Sequence, residues 1–331
     1  MYNSEFSLVP QTAGLDELIA KARNLAQASR AESTRKSMRS SWQDVEIWVR
    51  QHGFPSLITV PSPEVIALYL ADRASSLSPR TLTKRLCSIT QALRAAGMEG
   101  PSPASTRHQL VGAVLRGARR TKGMSPGNHR KDPLMTDQIR QLVATCGNDL
   151  RDVRDAALIL FGFASGGLRR ANLVAVSFEA LEFCDSGVIY HLGRSKSDQE
   201  GIGRMIGIPW GSDPDTCPVR SLRRLLDEGR MTAGPVFRPI NQRGVMAAHA
   251  LSPASASYII KLRARLAGLD AEALGAHSLR SGFCTQAALQ GTVSDRAFIM
   301  KQSGHKSSRS LDPYIRIAGL FKENPAAHLG L

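Results

Sequence analysis

Ala276–Arg316 reads AHSLRSGFCTQAALQGTVSDRAFIMKQSGHKSSRSLDPYIR. Its first turn carries His277 and Arg280, three positions apart, which sets both side chains on one face of a helix. An apolar run, Ala297-Phe298-Ile299-Met300, leads to the pair Gly304-His305. Tyr314 follows nine positions after that histidine, preceded by Asp312-Pro313. Asp as a cap and Pro in the first turn predict a helix starting at this dipeptide. Two histidines, an arginine and a tyrosine make a poor metal site and a good phosphate site. A guanidinium grips two phosphate oxygens at once, and a phenol oxygen can attack phosphorus.

Upstream of this stretch, the run AALILFGFA within Asp152–Gly166 reads as a buried helix that stops at Gly166-Gly167 and delivers Leu168-Arg169-Arg170. Glycines there allow a close backbone approach, which favours Arg169 as a site residue over a surface charge. Three short β-like runs come next: Leu181–Phe183, Val188–Leu192 and Met205–Ile208. The last two flank GRSKSDQEGIGR, a hairpin-like turn with Lys196 near its start. Pro218–Glu228 and Pro253–Ala267 read as helices.

The first third reads differently, as four or five helices and no strand. Residues 1–14 read as a loose tail. Leu15–Arg50 is helical in two pieces, one with Leu18, Ile19, Ala22, Leu25 and Ala26 at helical spacing, the other with Trp42, Val45, Ile47, Trp48 and Val49. Between them Arg35, Lys36 and Arg39 lie among small hydroxyl residues, suited to a phosphate backbone or to an ordinary exposed face. Pro63-Glu64 opens an apolar helix, and Ser78-Pro79 caps another, which Gly97 ends. That second helix buries Leu82, Leu86, Ile89 and Leu93 and presents Arg80, Lys84 and Arg85 on its first turns. The pattern fits a helix packed on one side and facing DNA, or solvent, on the other. A further helix ends in Arg119-Arg120. In residues 117–133, GARRTKGMSPGNHRKDP, apolar residues nearly vanish. This change predicts a basic linker over 121–133, with Lys122 in it, between domains 15–120 and 134–331.

Composition agrees with two folded domains that meet a polyanion. The chain has 331 residues, 42% hydrophobic and 21% charged, with a net charge of +15 and a pI of about 10.2. So basic a protein points to nucleic acid, against a generally solvated basic surface. Cys87, Cys146, Cys184, Cys217 and Cys284 stand singly, which gives neither a zinc motif nor a disulfide framework. No signal peptide or membrane-length apolar run is apparent, so a cytoplasmic protein, nucleoid-associated when on DNA, is expected.

Breaking a phosphodiester needs a nucleophile, an acid for the leaving oxygen and cations for the transition state. Tyr314 suits the first role and Lys196 the second. Arg169 and Arg280 suit the third, with His277 taking the phenolic proton and His305 bonding the phosphate. This scheme uses no metal and no cofactor. The sequence has no carboxylate cluster for two magnesium ions and no Walker-type phosphate loop.

In GGLRRANL, GRSKSDQEG, CPVRSL, HSLRSGF, GHKSSRSLDPYIR and LFKENPAAHLGL, spanning nearly all of the second domain, the chain resembles the tyrosine recombinases of the phage integrase family. The resemblance implies a mainly α fold with a small β-sheet (α+β). It implies a helical, SAM-like core-binding domain and a catalytic domain that form a C-shaped clamp on double-stranded DNA. Arg169, Lys196, His277, Arg280, His305 and Tyr314 would be the catalytic set. Four protomers would act on two specific sites, with or without accessory DNA-bending proteins. The strands would pass through 3′-phosphotyrosine links and a Holliday junction. The tail from Ala318 would dock on a neighbour or on its own domain. One departure is Asn172, where the family commonly has a carboxylate. Two other readings remain: a type IB topoisomerase-like strand swivel, and an accessory DNA-binding protein with weak catalysis.

Overall fold

The computed structural model describes residues 15–29, 31–98, 104–122, 131–193, 203–291 and 296–319. Lys196, the tail 1–14, most of the expected linker and the segment from Leu320 lie outside these residues. The chain divides into two compact units, Met1–Asn128 and His129–Leu331.

The first unit is helical: α1 (Leu15–Ala28), α2 (Glu32–Gln51), α3 (Pro63–Ala74), α4 (Pro79–Ala95), α5 (Ala104–Arg107) and α6 (Gln109–Lys122). Two helix starts are fixed as Ser-Pro pairs dictate. Ser62 and Ser78 accept the backbone N–H of Val65 and Thr81, each at 3.2 Å, with proline in the first turn. Val45, Trp48, Ile66, Tyr69, Leu82, Ile89 and Leu115 form its core. In α1, by contrast, Leu18 and Leu25 stay 59% and 65% exposed, so that helix adds neither to the core. At the other end, the basic stretch expected as linker begins as helix. Ala118 is buried, and Lys122 Nζ donates to the carbonyls of Ser75 at 3.0 Å and Leu77 at 2.9 Å. Beyond it Asp132 N–H bonds the Ala273 carbonyl at 3.0 Å, already within the second unit.

The second unit runs α7 (Thr136–Ala144), α8 (Leu150–Ala164), α9 (Arg170–Val174), β1 (Leu181–Cys184), β2 (Gly187–Leu192), β3 (Arg204–Pro209), α10 (Pro218–Glu228), α11 (Pro253–Leu266), α12 (Ala276–Gln290), α13 (Arg296–Ser303) and α14 (Ser308–Gly319). The strands form an antiparallel sheet in the order β1-β2-β3, with Val188 opposite Ile208 and Leu192 opposite Arg204. Alternation turns Val188, Tyr190 and Leu192, and Ile206 and Ile208, into the core. There they join Phe161, Leu158, Leu222 and Leu279.

Charge is buried in this unit as well. Arg263 on α11 donates Nε to Asp155 Oδ2 at 3.0 Å and Nη1 to the Thr145 carbonyl at 2.9 Å, and pairs with Asp152. Arg154 takes the other Asp155 oxygen at 2.8 Å. This knot ties α8 to α11, and none of its members was singled out from the sequence.

One expectation is corrected. The last helix starts at Ser308, not at Asp312-Pro313, so Pro313 lies inside α14. Ser307 provides the start: its carbonyl accepts Ser310 N–H at 3.1 Å. Starting there places Leu311 and Tyr314, three apart, on one face, where both are buried with Cys284 and Ile299. That burial offsets the backbone bond that proline cannot make.

Candidate active site

The loop after α8 is built on two glycines in the left-handed region, Gly166 (φ +84°) and Gly167 (φ +68°). A Cβ on Gly167 would lie 2.0 Å from Arg280 Cα, and one on Gly166 would lie 2.2 Å from the Gln302 carbonyl oxygen. Only glycine lets this loop touch α12 and α13 at once. The contact brings together Arg169, at the N-cap of α9, and Arg280 on α12.

Arg280 is 4% exposed. Its Nη1 donates to the carbonyls of Gly167 at 3.1 Å and Ser303 at 2.6 Å, and its Nη2 faces His305 Nε2 at 3.2 Å. Burial, and then the Arg169 guanidinium, push its pKa down to about 10, so it stays cationic at neutral pH. No carboxylate pairs with it among the described residues.

Around His305 the hydrogen bonds fix the tautomer. Ser303 Oγ donates to the Ile299 carbonyl at 2.6 Å and lies 2.7 Å from His305 Nδ1. A hydroxyl has one proton, so Nδ1 carries the hydrogen and donates to Oγ. Nε2 is then the acceptor that faces Arg280. Burial, followed by the charges of Arg280 and Arg169, push the imidazole down to about 4, and the neutral ring this requires agrees with the hydrogen bonds.

Tyr314 closes the arrangement from α14. It is buried, its hydroxyl lies 3.3 Å from His277 Nε2, and its ring is 6.1 Å from that of His305. A neutral His277 can accept the phenolic proton in this geometry. The structure thus brings His277, Arg280, His305 and Tyr314 together within one unit.

A cleft of about 360 Å³ is lined by Arg169, Asn172, Arg204, Arg280, His305 and Lys306. Among the described residues, its charged lining is all cationic, which suits a phosphate group. Asn172 borders it as a neutral amide. The described ends of β2 and β3, at Gly193 and Gly203, border it too. Lys196 comes three positions after Gly193 in the chain.

Arg204 and Ser303 were missed by sequence reasoning. A signal for Arg204 was available: it shares the inward face of β3 with Ile206 and Ile208, two and four positions on, where a cation is out of place. Nothing local marks Ser303, whose role depends on the turn that follows.

The DNA-contact candidates of the first unit separate into groups. Arg80, Lys84 and Arg119 border one shallow concavity, and Arg119 donates to Thr83 Oγ1 at 3.3 Å. Arg35, Lys36 and Arg39 are exposed on α2, where Lys36 pairs with Glu32 at 3.0 Å. Arg120 is exposed at the end of α6. Arg85 is drawn toward Asp44 at 3.7 Å, and Lys122 spends its ammonium on carbonyls of its own unit.

Among the described residues, no helix is long and apolar enough to cross a membrane. Residues 133–319 match the phage integrase family. Over 311 residues the chain is 35% identical to the integrase/recombinase xerD homolog of Selenomonas ruminantium, covering 93% of this chain and 89% of the relative. The fold is similar to the Tn1549 transposon integrase in complex with transposon right-end DNA, with a TM-score of 0.61 at 15% identity, covering 88% of this chain and 92% of that one. It is also similar to the XerH site-specific recombinase bound to a palindromic difH substrate, with a TM-score of 0.58 at 18% identity, covering 84% and 75%.

Proposed function

Since the chain belongs to the phage integrase family and is a tyrosine recombinase, we propose that it cuts and rejoins duplex DNA at specific sites with Tyr314 as nucleophile. The observation that carries this reading is the Tyr314 hydroxyl, 3.3 Å from His277 Nε2 and in the same unit as buried Arg280, which pairs with no carboxylate among the described residues.

The phenol oxygen attacks phosphorus as its proton passes to His277. The bond from phosphorus to the 5′ oxygen breaks, and Lys196 supplies that oxygen with a proton. A 3′-phosphotyrosine ester and a free 5′ hydroxyl result. The hydroxyl of a partner strand then attacks the ester and releases Tyr314, and two rounds of exchange make and resolve a Holliday junction. Each ester replaces another, so no ATP is consumed and no metal is called for. Arg169 and Arg280 hold the non-bridging oxygens. Because Arg280 lies in a buried, low-dielectric place, its attraction for the charge that develops there is stronger than it would be in water.

The xerD homolog, together with the DNA-bound relatives, supports duplex DNA as the partner. Four protomers on two DNA sites, with or without DNA-bending helpers, fit a reaction in which strands change partners. Arg80, Lys84 and Arg119 are the phosphate contacts we assign to the helical unit. Arg35, Lys36, Arg39 and Arg120 come second. A cytoplasmic location on the nucleoid follows from such a substrate. Affinity for DNA then falls steeply with salt, as release of condensed counterions requires.

A duplex nicked just beyond the cleavage point tests the reading, because the short 5′ fragment diffuses away and strands the intermediate. The wild-type chain accumulates a covalent adduct, and Tyr314→Phe yields none. An adduct that survives in Tyr314→Phe would remove this residue from the reaction. Plasmids with two sites then tell joined or excised products from simple relaxation.

A further inference from the structure

Arg204 is half-buried on β3 and borders the phosphate cleft. Its Nη1 donates to the carbonyls of Lys301 at 2.6 Å and Gln302 at 3.1 Å, the last turn of α13. Its guanidinium lies flat on Gly304, where a Cβ would meet Nη1 at 2.7 Å, Cζ at 2.8 Å and Nη2 at 3.0 Å. Gly304, at φ +68°, therefore provides both the turn into His305 and the room for this side chain. One part of Arg204 thus sets the end of α13 and the place of His305.

That job explains Nη1 and leaves the charge unexplained. A neutral donor would also serve to cap the two carbonyls. Arg204 instead brings a full cation toward Arg169, and burial, then the Arg169 charge, push its own pKa down. It also opposes the charges of Arg280 and a protonated His305. No carboxylate relieves this among the described residues, and the neighbouring Asn172 is neutral. Arg204 and Arg280 each feel the charge of Arg169 across one cleft, and Arg280 feels that of Arg204 as well, a repulsion that an entering anion relieves. Nε and Nη2 of Arg204 make no hydrogen bond within the protein among the described residues, so those donors are available to one.

We infer that Arg204 is a phosphate-binding residue of this site, a third guanidinium that shares a DNA phosphate with Arg169 and Arg280 while it positions His305. The inference rests on the recombinase reading for its ligand, the phosphodiester at the cleavage point.

The test removes the charge from each side in turn. Full-length wild type, Arg204→Gln and Arg204→Lys are compared on nicked duplexes carrying either the native phosphate or a neutral methylphosphonate at the cleavage point. On native DNA Arg204→Gln slows adduct formation by about 10²-fold, the loss typical of one donor to a developing oxyanion. On methylphosphonate DNA the variant and the wild type converge, because no charge remains for Arg204 to meet. Arg204→Lys keeps most of the rate on native DNA. The same pairs are compared by binding in the Tyr314→Phe background, where Arg204→Gln weakens affinity for native DNA selectively. Equal penalties on both DNAs would mean that Arg204 only holds α13, and the inference would be overturned. So would the absence of any penalty. Should wild type form no adduct at all, the recombinase reading falls, while the binding comparison still judges Arg204. If Arg204→Gln does not fold, Arg204→Met, which also removes the charge, takes its place and is judged by the same two outcomes.

Discussion

Arg263 and Arg280 lie in the same unit and are almost equally hidden, 3% and 4% exposed. Burial pushes the pKa of each guanidinium down. At Arg263 the hydrogen bonds of Asp152 and Asp155 more than reverse that and hold the side chain above its ordinary range. At Arg280 the next influence is another arginine, Arg169, and the value falls to about 10. One buried cation is neutralised inside the fold, whereas the other has carbonyl oxygens and a neutral imidazole and waits for charge from outside. The difference separates an arginine that holds helices together from one proposed to hold a phosphate, and burial alone would not tell them apart.

Exchanging the expected behaviour of the two arginines is the strongest way to break this contrast. Asp155→Ala leaves Arg154 and Arg263 without the carboxylate they share, at a cost of about 3–5 kcal/mol. Urea denaturation reads this directly, and a loss under about 1 kcal/mol would show that the knot is incidental. Arg280→Ala has the opposite profile. Cleavage of the nicked duplex falls by about 10²–10³-fold, while the melting temperature stays level or rises, since a buried uncompensated cation has been removed. A melting temperature that dropped as far as that of Asp155→Ala would make Arg280 a structural residue.

A smaller effect sharpens the contrast through His305. Its folded value of about 4 lies below the ordinary 6.5 because of burial and then Arg280. Between those two values the unfolded chain binds a proton that the folded chain refuses. This group's contribution is therefore complete above about pH 6.5 and is lost as the pH falls toward 4. The sign is that of a depressed group. In a histidine NMR titration of the free protein the expected His305 midpoint is near 4, and saturating DNA is expected to move it upward as the phosphate anion favours the imidazolium. A midpoint unmoved by DNA would separate His305 from the phosphate.

The site was legible where its residues share a short stretch. His277 and Arg280 are one helical step apart, and Gly304-His305 and Tyr314 follow within the same segment. Helical spacing and side-chain chemistry were enough to group them. The start of α14 was misread because Asp-Pro is a strong local signal, while the stabilising contacts of Leu311 and Tyr314 are tertiary. Arg204 could have been noticed from strand alternation. The Arg263–Asp155 pair could not, because its partners are 108 positions apart and neither is unusual in its own surroundings. The sheet and the helical character of the first third were readable from period and caps. The exposed leucines of α1 were not, since an amphipathic pattern does not say whether anything covers the apolar side.

Tyr314 packs on Cys284, Ile299 and Leu311 of its own unit and meets its own His277. Among the described residues, the proposed nucleophile and its proton acceptor accordingly belong to one polypeptide. Kinetics then have a definite form: once DNA ends are saturated, the rate of the first cut per bound molecule is independent of how much protein is added.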